Sequence, residues 1–305
     1  MKRMLFSYTP LVFSFLFLFC SNPEVKKESS ITSKTIKSNP TEKHPKFNDY
    51  WYAGKAEITS YKLSQVRYGE IHEGTAVNIY VTEDFLPKKQ VKADTQNDKN
   101  IPILKLNSTK KFTTGIYPYS LMTSTFSPIN TKENAIKISF SAQEWCGNTF
   151  VQLNNKTNYQ IDFHSYFESN SDRKLTLKKH PLENHFWNQL RIDPKNIKKG
   201  RYKVIPSMEF LALHHQKIKA YDAEVNLVEK GKFQYFSVYY PTLKRKLTIK
   251  LTKYFPYTIE SWEESINSRG KKLITKAAKI KTIQSAYWAK NGAADVEERK
   301  ELGLD

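Results

Sequence analysis

The chain has only two cysteines, Cys20 and Cys146, in 305 residues. No disulfide framework can hold it together, so its stability has to come from a packed core. Glycine and proline are sparse, at 10 and 13, while aromatic residues reach 13%. That balance excludes collagen-like and low-complexity chains and fits a folded domain. Acidic residues are outnumbered by Lys and Arg, 30 against 49, and the net charge of +19 directs the search for partners toward anionic surfaces. Several chemistry-bearing motifs are missing too. There is no P-loop, no dinucleotide-binding glycine fingerprint and no Gly-x-Ser-x-Gly elbow, and His72-Glu73 lacks the second histidine of a zinc-protease helix. The expectation is a protein with no cofactor and no metal ligands.

Long hydrophobic runs are scarce as well, and the single one is informative. Leu11 to Phe19 follows the positive Lys2 and Arg3 and ends at Cys20, before Ser21-Asn22-Pro23. It is about half the roughly 20 residues that a membrane-spanning helix needs. Residues 1–19 therefore read as an export signal, and Cys20 as the lipid-anchor site of a bacterial lipoprotein, its thiol carrying a fatty acid such as palmitate. Phe17 and Phe19 depart from the usual signal pattern, and the other readings are an uncleaved anchor reaching back to Met4, an ordinary cleaved signal, and a core segment of a cytoplasmic domain. Residues 20–48 are rich in Ser, Thr, Lys, Glu, Asn and Pro. Such a stretch buries too little surface to offset the entropy of ordering, and it reads as a flexible tether. In an exported chain the positive charge meets lipid headgroups, lipopolysaccharide or acidic glycans, not nucleic acid. The expected location is the bacterial cell envelope, on the periplasmic or surface face of the outer membrane. The expected partners are the membrane, through the N-terminal lipid, and a lipid, glycan or envelope protein.

Residues 49–305 read as one mainly β domain, a curved antiparallel sheet or half-open β-barrel with a few short helices. The motive is period-two alternation. Val77, Ile79 and Val81 alternate with Asn78, Tyr80 and Thr82; Ile136, Ile138 and Phe140 alternate with polar residues; Leu247, Ile249 and Leu251 alternate with Lys246, Thr248, Lys250 and Thr252. A parity slip along Ile58, Tyr61, Leu63, Val66 and Tyr68 predicts a bulge, His72-Glu73-Gly74 a turn, and Pro102 and Pro118 breaks between short strands. Helical spacing occurs at Leu182, Phe186 and Leu190, ending before Pro194, and Asp295 to Leu302 reads as a short charged helix.

The candidate ligand-binding residues are Glu144, Trp145 and Cys146. Ile136, Ile138, Phe140 and Ala142 share one parity, so an unbroken strand would carry Glu144 and Cys146 inward. An unpaired carboxylate cannot stay buried there. Either the strand bulges or ends near Glu144, or that carboxylate meets a basic partner at the mouth of a site. Cys146 as a nucleophile would need a base or a positive dipole beside it, and the histidines stand at no recognised metal-ligand spacing. The groups Tyr50-Trp51-Tyr52, Tyr235-Phe236, Tyr239-Tyr240, Tyr254-Phe255 and Tyr287-Trp288 read mostly as core, and Lys244-Arg245-Lys246 and Lys271-Lys272 as solvated basic edges.

Four stretches carry a resemblance: Tyr50 to Tyr61 (Tyr-Trp-Tyr-x-Gly-Lys-Ala-Glu-Ile-Thr-Ser-Tyr), Arg67 to Gly74 (Arg-Tyr-Gly-Glu-Ile-His-Glu-Gly), Val81 to Phe85 (Val-Thr-Glu-Asp-Phe) and Gln143 to Gly147 (Gln-Glu-Trp-Cys-Gly). In these, from Tyr50 onward, the chain resembles a family of uncharacterised bacterial envelope lipoproteins. Some of its members carry the label septum formation inhibitor Maf, which belongs to nucleotide pyrophosphatases opening on Ser-x-Ser-Pro-Arg-Arg. That segment does not occur here, and the label is not carried over. The resemblance assigns no activity. The leading expectation is a non-enzymatic envelope lipoprotein that binds an apolar or anionic envelope component or a protein partner. The alternative is an envelope hydrolase or transferase using Cys146 or a histidine.

Overall fold

Alternating side chains dictate what the backbone does over most of the chain. The computed structural model describes residues 44–129, 133–268 and 270–304. The expected export signal, Cys20 and the expected tether up to residue 43 lie outside the described residues, as does Arg269. The fold takes in His44 to Asn48, which composition assigned to the tether, because Phe47 is buried and His44 stacks on Phe255 with ring centroids 4.5 Å apart.

Helix α1 (Phe47–Trp51) leads into strands β1 (Ala56–Arg67), β2 (Glu70–Leu86), β3 (Val91–Lys92), β4 (Ile101–Thr114), β5 (Tyr117–Pro128), β6 (Lys137–Glu144), β7 (Gly147–Asn155), β8 (Tyr159–Ser165) and β9 (Arg173–Leu177). Then come helix α2 (Glu183–Ile192), β10 (Gly200–Val204), α3 (Met208–Leu213), β11 (Tyr221–Lys230), β12 (Phe233–Tyr240), β13 (Arg245–Thr252), β14 (Ile259–Ser268), β15 (Lys271–Ser285) and α4 (Glu297–Glu301). Every pairing is antiparallel, in the order β10-β11-β12-β13-β14-β15-β1-β2-β4-β5-β6-β7-β8-β9, with β3 beside β2. The fold is mainly β, one curved sheet not closed into a barrel. Its free edges are β9 and β10. The chain passes between them at Leu182, which forms a parallel bridge to Ile205, while the Ile205 N–H donates to Pro181 O at 2.9 Å. Among the described residues no helix is long and apolar enough to cross a membrane.

The concave face is filled. Ile138, Phe140, Val151, Ile161, Phe236 and Ile249 converge on Phe186 and Leu190 of α2 and Leu211 of α3 in one buried cluster. Burying each such side chain contributes about 1.5–3 kcal/mol. Helix α2 is anchored at both ends. Glu183, in its first turn, accepts from Arg245 at 2.5 and 2.7 Å and from the Tyr240 hydroxyl at 2.7 Å; Arg191, in its last turn, donates to Glu57 at 2.5 and 2.6 Å. Acid at the start and base at the end also suit the helix dipole. Arg245 is thus buried, not solvated, because it shares the inward parity of Leu247, Ile249 and Leu251.

The convex face carries a second layer. Ile58 and Val81, with Val77, Ile79 and Ile283, pack outward under Leu302, Leu304 and Tyr287, and the Ser60 hydroxyl donates to Leu302 O at 2.5 Å. Strand β1 is therefore covered on both faces where α4 and its neighbours lie. This explains the parity slip: Ile58 points out and Tyr61 in, and the register shift falls on β15, where Ile280 is the extra residue. The turn expected at His72-Glu73-Gly74 is a two-residue hairpin at Tyr68-Gly69 instead. Gly74 lies inside β2 because a Cβ there would come within 2.2 Å of Lys111 O on β4. Pro102 and Pro118 do not break strands; each is the second residue of one, where the ladder tolerates a missing N–H.

Candidate functional site

Antiparallel order puts the β1–β2, β4–β5, β6–β7, β8–β9, β12–β13 and β14–β15 turns at one end of the sheet, together with the C-terminus of α3. Loop tips are where polar residues are expected, yet here they carry large apolar side chains. Tyr68 is 63% exposed, Ile116 82%, Trp145 67% and Tyr166 72%, with Phe167 beside them. These residues form one band. Trp145 stacks on Tyr117 at 6.2 Å, the Tyr117 hydroxyl donates to that of Tyr68 at 3.4 Å, and Phe167 meets Tyr166 at 5.7 Å and His215 at 5.7 Å. A Cβ on Gly147 would lie 2.9 Å from Tyr166 Cβ, so glycine is what lets the β6–β7 and β8–β9 turns touch.

Tyr68 adopts φ +54°, a left-handed conformation that a tyrosine rarely takes. The surroundings hold it: its hydroxyl lies 2.7 Å from that of Tyr119, and the Arg67 guanidinium sits 4.5 Å from its ring centre. Arg67 itself donates to Leu213 O at 2.8 Å and lies 5.4 Å from the Tyr119 ring. Two depressions flank it. One, of about 20 Å³, is lined by Arg67, Tyr119, Glu144, Gly147, Phe167 and His215 among others; the other, of about 460 Å³, is lined by Val66, Arg67, Tyr68, Gly69, His214, Ile266, Lys271 and Leu273. The larger one joins apolar walls to two cationic side chains, and among the described residues no carboxylate lines it. Burial holds His214 down at about 4, so the imidazole is neutral there at physiological pH.

The three residues singled out from sequence all lie on this rim, and the structure separates their roles. Strand β6 ends at Glu144, Trp145 and Cys146 form the two-residue turn, and β7 begins at Gly147. Glu144 is half-buried and accepts the Cys146 backbone N–H at 2.7 Å. Trp145 faces solvent. Cys146 is exposed, and its hydrogen bond to Glu144, with minor burial, pushes the thiol up from its ordinary value. A nucleophilic cysteine needs the opposite shift. Cys20 lies outside the described residues.

A second polar cleft sits on the concave side between β4, β5, β13 and β14, under α2 and α3. About 50 Å³ in size, it has room for a few waters. Lys110 pairs there with Glu209 of α3, and Arg245 with Glu183 and Glu264. Burial alone would raise Glu264, but Arg245 overrides it and holds the carboxyl down at about 2. These charges satisfy one another and tie helices to sheet. The histidines are scattered: His185 meets Ser127 Oγ at 2.9 Å inside the core, and His164 meets Asp172 at 3.2 Å on the surface. Among the described residues no group of three or more His, Cys, Asp or Glu side chains converges as metal ligands would.

Fold and site together define a class: an open antiparallel half-barrel, plugged by two short helices, with an aromatic and basic rim at one end. Comparison with protein-family models, curated proteins and solved structures finds no match to this chain. No residue role is therefore brought in from outside, and the site rests on its own geometry. Sequence reading did not find the rim. Its signal was present, in large apolar residues beside turn glycines at Tyr68-Gly69, Gly115-Ile116 and Cys146-Gly147, but one sequence does not say that these turns share an end.

Proposed function

We propose that the protein is a lipoprotein of the bacterial cell envelope, anchored through an acylated Cys20, whose folded domain is a non-enzymatic binding module that works through its rim. The observation that supports this reading is the band of exposed Tyr68, Ile116, Trp145, Tyr166 and Phe167, joined through the half-buried Tyr117, around Arg67. Apolar side chains clustered on loop tips cost solubility unless something covers them, and such patches mark interaction sites. The concave cleft is small and its charges are mutually satisfied, which disfavours it as a ligand groove. The alternative of a hydrolase or transferase calls for an activated nucleophile, and the Cys146 thiol is shifted the other way.

Two measurements test the reading. Metabolic labelling with an alkyne fatty acid should mark the full chain, and Cys20→Ser should abolish the mark; persistent labelling overturns the anchor. A photo-crosslinker at position 116 should capture an envelope component in cells, while one at the opposite end, at exposed position 232, should not. The reverse pattern overturns the rim.

A further inference from the structure

Resting on the rim as the binding face, we infer that its occupant is the surface of an anionic phospholipid bilayer, with the lipid headgroup seated in the depression between Arg67 and Lys271. Three features point to this occupant. The exposed residues are the types that settle at a membrane interface: tyrosine and tryptophan with polar tips, plus the purely apolar Ile116 at a hairpin tip. A glycan site would use the ring faces but gives Ile116 nothing to do. The charge is complementary as well. Lys244, Lys271 and Lys272 are exposed on the same end, and the Asn267 N–H bonded to Lys244 O at 3.2 Å holds the two basic turns side by side. Finally, the depression of about 460 Å³ sets Tyr68, Ile266 and Leu273 against Arg67 and Lys271, an apolar wall beside cations. That is the chemistry of a phosphate at the edge of an acyl layer.

Chain geometry permits this docking. His44 stacks on Phe255 in the β13–β14 connection, at the end of the sheet opposite the rim. The roughly two dozen residues between Cys20 and His44 reach at most about 80 Å when extended. A strand the length of β1 covers only about 40 Å. A chain anchored at Cys20 can therefore turn its rim onto the bilayer that holds the anchor.

The test uses the full chain reconstituted in vesicles of phosphatidylcholine, with or without phosphatidylglycerol, so that anchoring is common to both arms. A fluorophore on Cys146 reports the rim; one on Lys232→Cys in a Cys146→Ser background reports the opposite end. The rim label should shift to the blue and be quenched by nitroxide lipids in phosphatidylglycerol vesicles, the other label should do neither, and Ile116→Ser with Lys271→Glu should weaken the effect about tenfold. Thermal unfolding of that variant should match wild type, which separates docking from folding. Equal signals in both vesicle types overturn the anionic headgroup as what the rim selects, and no signal in either overturns the bilayer as occupant. If the signal is absent while the crosslinker at position 116 captures a protein or glycan, the rim reading stands and this inference falls; if both are silent, both fall.

Discussion

Both ends of the sheet gather aromatic rings around an arginine, and they put that arrangement to opposite uses. At the end where the described chain begins, Tyr50, Trp51 and Tyr80 surround Arg191, with Phe47 and Phe255 beside them. Glu57 cancels its charge, and the Tyr50 hydroxyl completes the carboxylate's hydrogen bonding. Burial alone would push the Arg191 guanidinium down, and Glu57 more than offsets that. At the rim, Arg67 lies against Tyr68 and Tyr119, but its hydrogen bonds go to a carbonyl and a phenol. No carboxylate cancels its charge through these bonds, and while Tyr119 beneath it is buried, the Tyr68 ring stays exposed. What makes an aromatic and arginine cluster into core is thus a carboxylate at bidentate distance and a covering segment, here α1. Without them the same residue types make a surface.

The largest expected effect comes from breaking the closed end. Arg191→Met leaves Glu57 buried without its partner and should cost about 3–5 kcal/mol. Urea unfolding of the full chain measures this; a loss below about 1 kcal/mol would mean that the pair does not hold α2 in place. The matching change at the rim, Tyr166→Ser, should stay within about 0.5 kcal/mol, since the ring is exposed.

The next effect is a pH dependence seated in the core, toward the end away from the rim. His185 is buried beside Ser127, and burial holds its pKa at about 4, below the ordinary 6.5. The unfolded chain therefore takes up a proton that the folded one refuses. Stability should be complete above about pH 6.5 and fall as pH drops toward 4, by about 3 kcal/mol in all. His214 is depressed in the same direction by burial, against the opposing Glu264 and with Arg67 and Arg245 adding to it, but it is only partly buried and should add less. Urea midpoints measured from pH 7 to pH 4 should slope steeply in the wild type and less in His185→Gln. Parallel slopes would show that His185 is not the group responsible.

Much of the fold was legible in the sequence, and the reasons are local. Alternation in Leu247 to Leu251 and Ile136 to Phe140 and the four-residue spacing of Leu182, Phe186 and Leu190 each report a burial pattern within one element. What escaped depends on pairs far apart in sequence. Whether Ile58 faces in or out depends on Leu302, and whether Arg245 is solvated depends on Glu183. Gly74 looked like a turn because nothing nearby in sequence reveals the close approach of Lys111. The candidate site was half legible for the same reason. Parity forced the choice between an ending strand and a paired Glu144, but it could not place Tyr68, Ile116 and Tyr166 on the same rim.

The smallest expected effect sharpens the comparison at the rim itself. Glu144 accepts the Cys146 backbone N–H and its thiol, so the carboxylate shapes the turn and keeps the sulfur protonated. In Cys146→Ser the hydroxyl can donate where the thiol did and the backbone bond is untouched. Stability should change by no more than about 0.5 kcal/mol, and vesicle docking should not change at all. The thiol should also react slowly with iodoacetamide at pH 8 for an exposed cysteine. Glu144→Gln, which removes the charge but keeps the turn's acceptor, should speed that reaction by lowering the thiol pKa. If Glu144→Gln leaves the rate unchanged, the carboxylate does not govern the sulfur. If a fully folded Cys146→Ser chain loses its binding or shows a lost activity, the sulfur itself is functional, and the rim would have to be read as the mouth of an active site in place of a docking face.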